Sequence, residues 1–276
     1  PARQQCGAML AVLALAAALA GCAQTPTEPA SSLPDKVIRN VPGSGKTARE
    51  PDPLPLPAIE APLHDDLPPT PVQYADVLDR IRAGSQLPDV DHPWVRAELD
   101  WYVRNGEYMG RVFARAQRYL HYIADEVESR GLPMELALLP VVESAFNPFA
   151  YSRSHASGLW QFIPGTGKRF DLKQDWWQDQ RRDVLDSTRA ALDYLTYLHQ
   201  MFNGDWMLAV AAYNYGSGNV TRAIRRNESL GRDTDFFSLS LPGETRAYVP
   251  KLLALGQLVR HPEAHGIALP PIPDAP

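Results

Sequence analysis

Twelve of the chain's 26 prolines fall between residues 23 and 71, and this segregation limits what the sequence can build more than any single motif. A stretch so rich in proline and so poor in large apolar residues cannot bury enough surface to offset its ordering entropy. Residues 23–71 therefore read as an extended tether. Fully polyproline-like, it would reach at most about 150 Å, at ~3.1 Å per residue. A chain of 276 residues still has room for one sizeable core or two modest ones. Its net charge of −5 is weak, so nucleic acid is not an indicated partner. Inside the tether, Pro42-Gly-Ser-Gly-Lys-Thr47 imitates the end of a phosphate-binding loop. The glycine required five positions before Gly45 is Asn40, and no strand precedes it, so nucleotide binding is rejected.

Residues 1–22 read as a cleaved leader. Ala8 to Ala20 is an unbroken apolar run, too short for the roughly 20 residues of a spanning helix. Arg3 is the only charge before it, and Pro1 stands first in place of Met, so part of a basic n-region is expected to be missing. The run ends in Leu19-Ala20-Gly21-Cys22, which resembles the bacterial lipoprotein cleavage box. That resemblance implies acylation of Cys22 and a membrane anchor. With Ala23 rather than Asp next, it also implies sorting to the outer membrane, facing the periplasm. The competing reading is an ordinary secreted protein with an unrelated cysteine. Cys6 leaves with the leader and Cys22 is consumed by lipid, which leaves no thiol for a disulfide or metal site.

From Pro93 onward the apolar pattern has helical spacing. Met109, Val112, Phe113, Ala116, Leu120, Ile123 and Val127 form one stripe, and Gly131 sits where a helix C-cap belongs. Pro133 opens a helix expected to run through Glu135 to Glu143. Ser187 is placed to cap a helix with Leu192, Leu195, Leu198 and Phe202 on one face, ended by Asn203-Gly204. Asp205 is placed to cap the next, which Gly216 ends. A short basic helix follows from Ser217 to Asn227, and Pro242-Gly243-Glu244 starts the last long helix, which Pro250 should kink. No period-two run competes. The expected fold is all-α, with helices from about 93 to 129 acting as an N-terminal buttress.

The stretch Glu143-Ser-Ala-Phe-Asn-Pro-Phe-Ala-Tyr-Ser-Arg-Ser-His-Ala-Ser-Gly-Leu-Trp-Gln161 carries the chemistry. One carboxyl ends the apolar segment Leu136 to Val142, a Ser/Asn/Tyr-rich turn follows, and a second apolar segment holds a glutamine. Partial desolvation there favours the protonated carboxyl and should raise its pKa from about 4.3 towards about 6, which suits a general acid.

Four ordered segments together resemble the lysozyme-like lytic transglycosylase family that cleaves bacterial peptidoglycan. They are Glu143-Ser144 with its turn, Gly158-Leu-Trp-Gln-Phe-Ile-Pro-Gly-Thr166, Ala211-Ala-Tyr-Asn-Tyr-Gly216 and Glu244-Thr-Arg-Ala-Tyr-Val249. The resemblance covers roughly residues 75–262. With the leader at 1–22 and the tether at 23–71 read above, the expected division is an N-terminal helical segment at 72–130, a catalytic domain at 131–262 implied by the resemblance, and a Pro-rich tail at 263–276. Related proteins often carry C-terminal repeats of the LysM kind, and the Pro-rich tail ending at Pro276 is a departure from that pattern.

By that resemblance Glu143 is the single catalytic carboxyl, Ser152 and Ser154 face the acetamido and sugar region, and Gln161 contacts a sugar. Tyr213 is placed to hydrogen-bond Glu143 or a sugar, Asn214 either binds substrate or caps its helix, and Tyr248 orients Glu143. No cofactor is implied, and glycan strands of peptidoglycan are the implied partner. Trp160, Trp176 and Trp177 could stack on sugars, although large aromatics are more often core. His261 and His265 with Glu263 imitate zinc spacing, but Pro262 and Gly266 spoil a helix there and no third ligand is evident. No second carboxylate partner is evident. Asp171, Asp175, Asp183 and Asp186 lie in polar stretches, and Glu135 suits a helix's first turn. A muramidase of the same fold and a non-catalytic wall-binding lipoprotein remain the competing readings.

Overall fold

The computed structural model describes residues 73–275; the leader with Cys22, the tether and the Gly45 loop lie outside the described residues. In chain order the helices are α1 (Val77–Ala83), α2 (Pro93–Arg104), α3 (Gly106–Ala116), α4 (Leu120–Ser129), α5 (Leu139–Ser144), α6 (Pro164–Arg169), α7 (Val184–Met201), α8 (Trp206–Tyr215), α9 (Ser217–Ser229) and α10 (Gly243–Arg260). Among the described residues there is no strand, only isolated bridges such as Tyr151 with Ser157. The all-α expectation holds.

The predicted stripe is buried throughout, but it spans two helices, since the chain turns between Ala116 and Leu120. Gly131 ends α4 at φ +63, where its N–H bonds Glu128 and that of Leu132 bonds Val127, closing the last carbonyls. The helix expected from Pro133 to Glu143 is split. Met134–Leu138 is a 3₁₀ turn, and α5 restarts at Leu139 with Pro140 in its first turn. Proline tolerates that position because its missing N–H has no partner to lose there, whereas mid-helix its ring would strike the preceding turn. The cap of α7 is also displaced: Asp183, not Ser187, accepts from the N–H of Asp186. Ser187 lies a turn later, bonding back to Asp183 O, because the aspartate's carboxylate reaches the free amides first. Asp205 and Gly216 bound α8 as expected.

Helix α10 is the spine. It packs chiefly on α2 and α8, and also touches α1 and α5, so the N-terminal helices and the carboxyl-bearing α5 share one core. Each fully buried Leu, Ile, Val or Phe of this kind contributes roughly 1.5–3 kcal/mol of transfer free energy. Helix α1 belongs to the same core, with Val77, Leu78 and Ile81 fully buried. The C-terminal segment folds back on it. Ile272 is buried, Val77 N donates to Ile272 O at 2.9 Å, and Asp274 meets His121 Nδ1 at 2.7 Å and Arg80 at 3.2 Å.

Glu135 is not a solvated helix-end charge. It is 1% exposed, accepts from the N–H groups of Gln86 and Leu87 at 3.0 Å, and pairs with Arg260 at 2.5 Å. Gly256 makes room for it, since a Cβ there would lie 3.1 Å from Glu135 Cγ. Truncating one partner leaves the other charge buried and unpaired. Glu135→Ala is therefore expected to lower unfolding free energy by about 3–5 kcal/mol in urea titration. A loss below about 1 kcal/mol would show that this clamp is dispensable.

Candidate active site

Helix α5 is only six residues long, and Glu143 sits in its last turn with its carboxyl at the wall of a cleft of ≈ 480 Å³. Burial is the main influence on that carboxyl and raises its pKa from 4.5 to about 8. The Tyr248 hydroxyl donates to Oε1 and opposes the rise, Glu244 adds to it as a like charge, and Lys251 lowers it. The last turn of a helix, where carbonyls are unsatisfied, further disfavours an anion. The result exceeds the value of about 6 expected from partial desolvation. At neutral pH Glu143 holds its proton.

Tyr248 reaches Glu143 from α10, 105 positions later in the chain, and is itself buried. Tyr213 does not bond the acid; its hydroxyl donates to Trp160 O at 2.9 Å and fixes the chain beside the cleft. Asn214 is not a helix cap. Its Oδ1 accepts from Thr245 at 2.9 Å and its amide bonds Glu244, so α8 is tied to the start of α10.

Glu143, Ser152, Ser154, Gln161, Tyr213 and Asn214 all line the cleft, with Phe162, Ile163 and Pro164 forming an apolar wall. Ser152 also does the turn's work, accepting from Ala156 N at 3.0 Å, which leaves its own hydroxyl hydrogen to donate elsewhere. Gln161 is held at φ +50 and spends its amide hydrogens on Gly158 O at 2.8 Å and Ala150 O at 3.2 Å. Its carbonyl is the end left for a ligand. Trp160 is core, donating to Thr188 at 2.9 Å.

Three residues to which the sequence pattern assigns no role also shape the site. Glu244 is a second carboxyl on the cleft, half-buried and raised by that burial. In the sequence it stands only as part of the Pro242-Gly243-Glu244 helix start. Ser144 is buried and donates to Leu159 O at 2.8 Å, tying the end of α5 to the opposite segment. Arg181, in the polar segment before Asp183, is buried. It donates to His155 O at 2.7 Å and Phe162 O at 3.0 Å while Asp179 holds its other edge. Among the described residues no three His, Cys, Asp or Glu side chains converge as a metal site.

A family model described as "Transglycosylase SLT domain" matches residues 122–236. The chain is also 47% identical over 197 residues to membrane-bound lytic murein transglycosylase D of Escherichia coli (strain K12), which covers 71% of this chain and 43% of that one. It is 46% identical over 150 residues to a protein of Alteromonas sp. (strain M-1) named for tributyltin chloride resistance, covering 54% of this chain and 72% of that one. The chain belongs to the SLT-domain transglycosylase family. It spans less than half the length of the murein transglycosylase D it matches. Among solved structures, a lytic transglycosylase Slt of Pseudomonas aeruginosa, in an inactive mutant form, aligns with TM-score 0.41 and 30% identity over 55% of this chain and 25% of that one. The SLT match stops before α10, so Glu244 and Tyr248 lie beyond it.

Two outcomes follow from this geometry. Carbon-13 titration of Glu143 should give a midpoint near 8, and Tyr248→Phe should move it higher, because the lost hydroxyl stabilises the anion. An unchanged or lower midpoint would contradict that bond. Gly158, at φ +84, would place any Cβ 1.7 Å from Arg181 O. Gly158→Ala should therefore cost more than about 2 kcal/mol on thermal unfolding and disorder the Ser152–Gln161 loop in NMR spectra.

Proposed function

We propose that this protein is a peptidoglycan lytic transglycosylase that cleaves the β-1,4 bond between N-acetylmuramic acid and N-acetylglucosamine without water. The observation that carries the reading is a neutral, desolvated Glu143 on the wall of a cleft, hydrogen-bonded by Tyr248. Glu143 gives its proton to the bridging oxygen as the muramic C1–O bond breaks. The carboxylate left behind then removes the proton of the muramic 6-hydroxyl, whose oxygen bonds to C1. One 1,6-anhydro end and one free 4-hydroxyl result, and Glu143 is protonated again. A carboxyl that starts loaded and ends loaded needs no second general base.

Substrate contacts fall to Ser152, Ser154 and the carbonyl of Gln161, with Tyr213 and Asn214 fixing the wall they stand on. The relatives' printed names, lytic murein transglycosylases of the membrane-bound kind, support both the substrate and an anchor at Cys22. On this reading the folded part works from an outer-membrane anchor in the periplasm through the tether at 23–71, on a helical segment to residue 130 and a catalytic domain from 131.

Glu244 gives the hydrolytic alternative its one specific support, since a second carboxyl faces the same cleft. Its burial and its Asn214 contact fit a fixed wall group better than a solvated base, and this favours the non-hydrolytic route. The deciding test is mass spectrometry of fragments released from purified sacculi by the full chain and by Glu143→Gln. Anhydro-muramyl ends are expected from the wild type, with release slowed about 10²-fold or more in the variant. Reducing muramyl ends would assign a hydrolase using Glu244, and a fully active variant would remove Glu143 from the chemistry.

A further inference from the structure

The hairpin between α6 and α7 carries the most exposed large apolar side chains among the described residues. Trp176 and Trp177 are 80% and 77% exposed, with ring centroids 3.5 Å apart and planes inclined by 34°. At that exposure the core gains little from them, while two indoles left in water are unfavourable.

The hairpin is nevertheless built. Asp175 Oδ1 accepts from the N–H groups of Trp177 and Gln178 at 2.8 and 2.9 Å, and Gln174 pairs with Asp179 across it. Gln180 closes the base through Lys173, with bonds of 2.9 and 2.6 Å. Two anchors join it to the rim of the cleft. Gln174 Nε2 donates to Pro164 O at 3.0 Å, and Asp179 grips the Arg181 guanidinium that holds Phe162 O. Pro164 and Phe162 both line the cleft. Trp176 lies two residues from Gln174, so its backbone stays within about 7 Å of that anchor.

A cleft of ≈ 480 Å³ is the size that takes a drug-sized molecule, so most of a polymeric strand must run outside it. We propose that Trp176 and Trp177 form a sugar-binding platform beyond the cleft, an added subsite for an N-acetylated glycan strand extending past the cleaved bond. A pyranose ring offers an apolar face of C–H groups and polar edges. An indole offers an apolar face and one N–H donor, and the exposed Lys173 and Gln178 add further donors. A lipid surface is the lesser match, because residues 171–179 carry Asp171, Asp175 and Asp179 against a single Lys173, where an anionic bilayer would select lysine and arginine.

The inference rests on the glycan reading of the cleft, and the experiment separates the two. The full-length wild type, Trp176→Ala/Trp177→Ala and Trp176→Phe/Trp177→Phe are assayed on soluble uncrosslinked peptidoglycan strands fractionated by length. In the alanine variant KM for long strands should rise about tenfold with kcat unchanged. The shortest cleaved fragment should be turned over as by the wild type, and the phenylalanine variant should recover most of the loss. No dependence on length, whether from no loss or from equal loss on short and long strands, overturns the platform while leaving the cleft reading intact. Reduced binding to phosphatidylglycerol vesicles with unchanged strand kinetics overturns it in favour of a membrane contact. Failure of the wild type to cleave any strand sinks the cleft reading and the platform together.

Discussion

A carboxyl withdrawn from water must stay neutral or be compensated, and the structure holds Glu143 between those two demands. Burial drives it towards neutrality, and the Tyr248 hydroxyl keeps the anion accessible by donating to it. Without the first, Glu143 could not be an acid at neutral pH. Without the second, its conjugate base would be too costly to form during a reaction. The arrangement leaves a thermodynamic trace. Between about 4.5 and about 8 the folded chain carries a proton that the unfolded chain has released, so this group's contribution to stability is complete below 4.5 and is lost as pH rises through 8.

Holding such a carboxyl requires backbone shapes that the sequence would otherwise avoid. Ala145, Phe146, His155 and Gln161 all adopt left-handed φ, and all four lie within the single stretch that closes over Glu143. Conformations of this sort cost of order 1–3 kcal/mol each and persist where the surroundings over-determine them. The surroundings are specific. Arg115 of α3 donates to Ala145 O at 2.7 Å, Ser144 ties the end of α5 to Leu159, and Arg181 fixes His155 and Phe162. The N-terminal helices thus do more than cover a face; one of them clamps the turn that follows the acid.

Much of this was legible because it rests on local chemistry. The stripe from Met109 to Val127, the αL glycine at 131 and the Asp205 cap are decided within a few residues, as was the isolation of Glu143 between apolar and turn segments. What escaped depends on distant partners. Glu135 reads as a helix-end charge until Arg260 is brought beside it, and Glu244 as a helix-start charge until α8 and α5 stand opposite. Residues 75–83 and 271–274 are each too short to call on pattern alone, and burial of Val77, Leu78, Ile81 and Ile272 together with their mutual bonds makes them part of the core. Ser187 is the expected cap of α7, and Asp183, four residues earlier, takes that place because its carboxylate accepts from Asp186 N.

The reach from Glu143 to Tyr248 also ties the chemistry of one side chain to a distant part of the sequence. Every group that sets the proton affinity of Glu143 from a distance (Glu244, Tyr248 and Lys251) is on α10, near the end of the described chain. Without that helix Glu143 would lack the Tyr248 hydrogen bond and the Glu244 and Lys251 charges, and burial alone would act on it. The proton affinity of one residue in the first half of the folded part is thus set partly by the last long helix of the described chain.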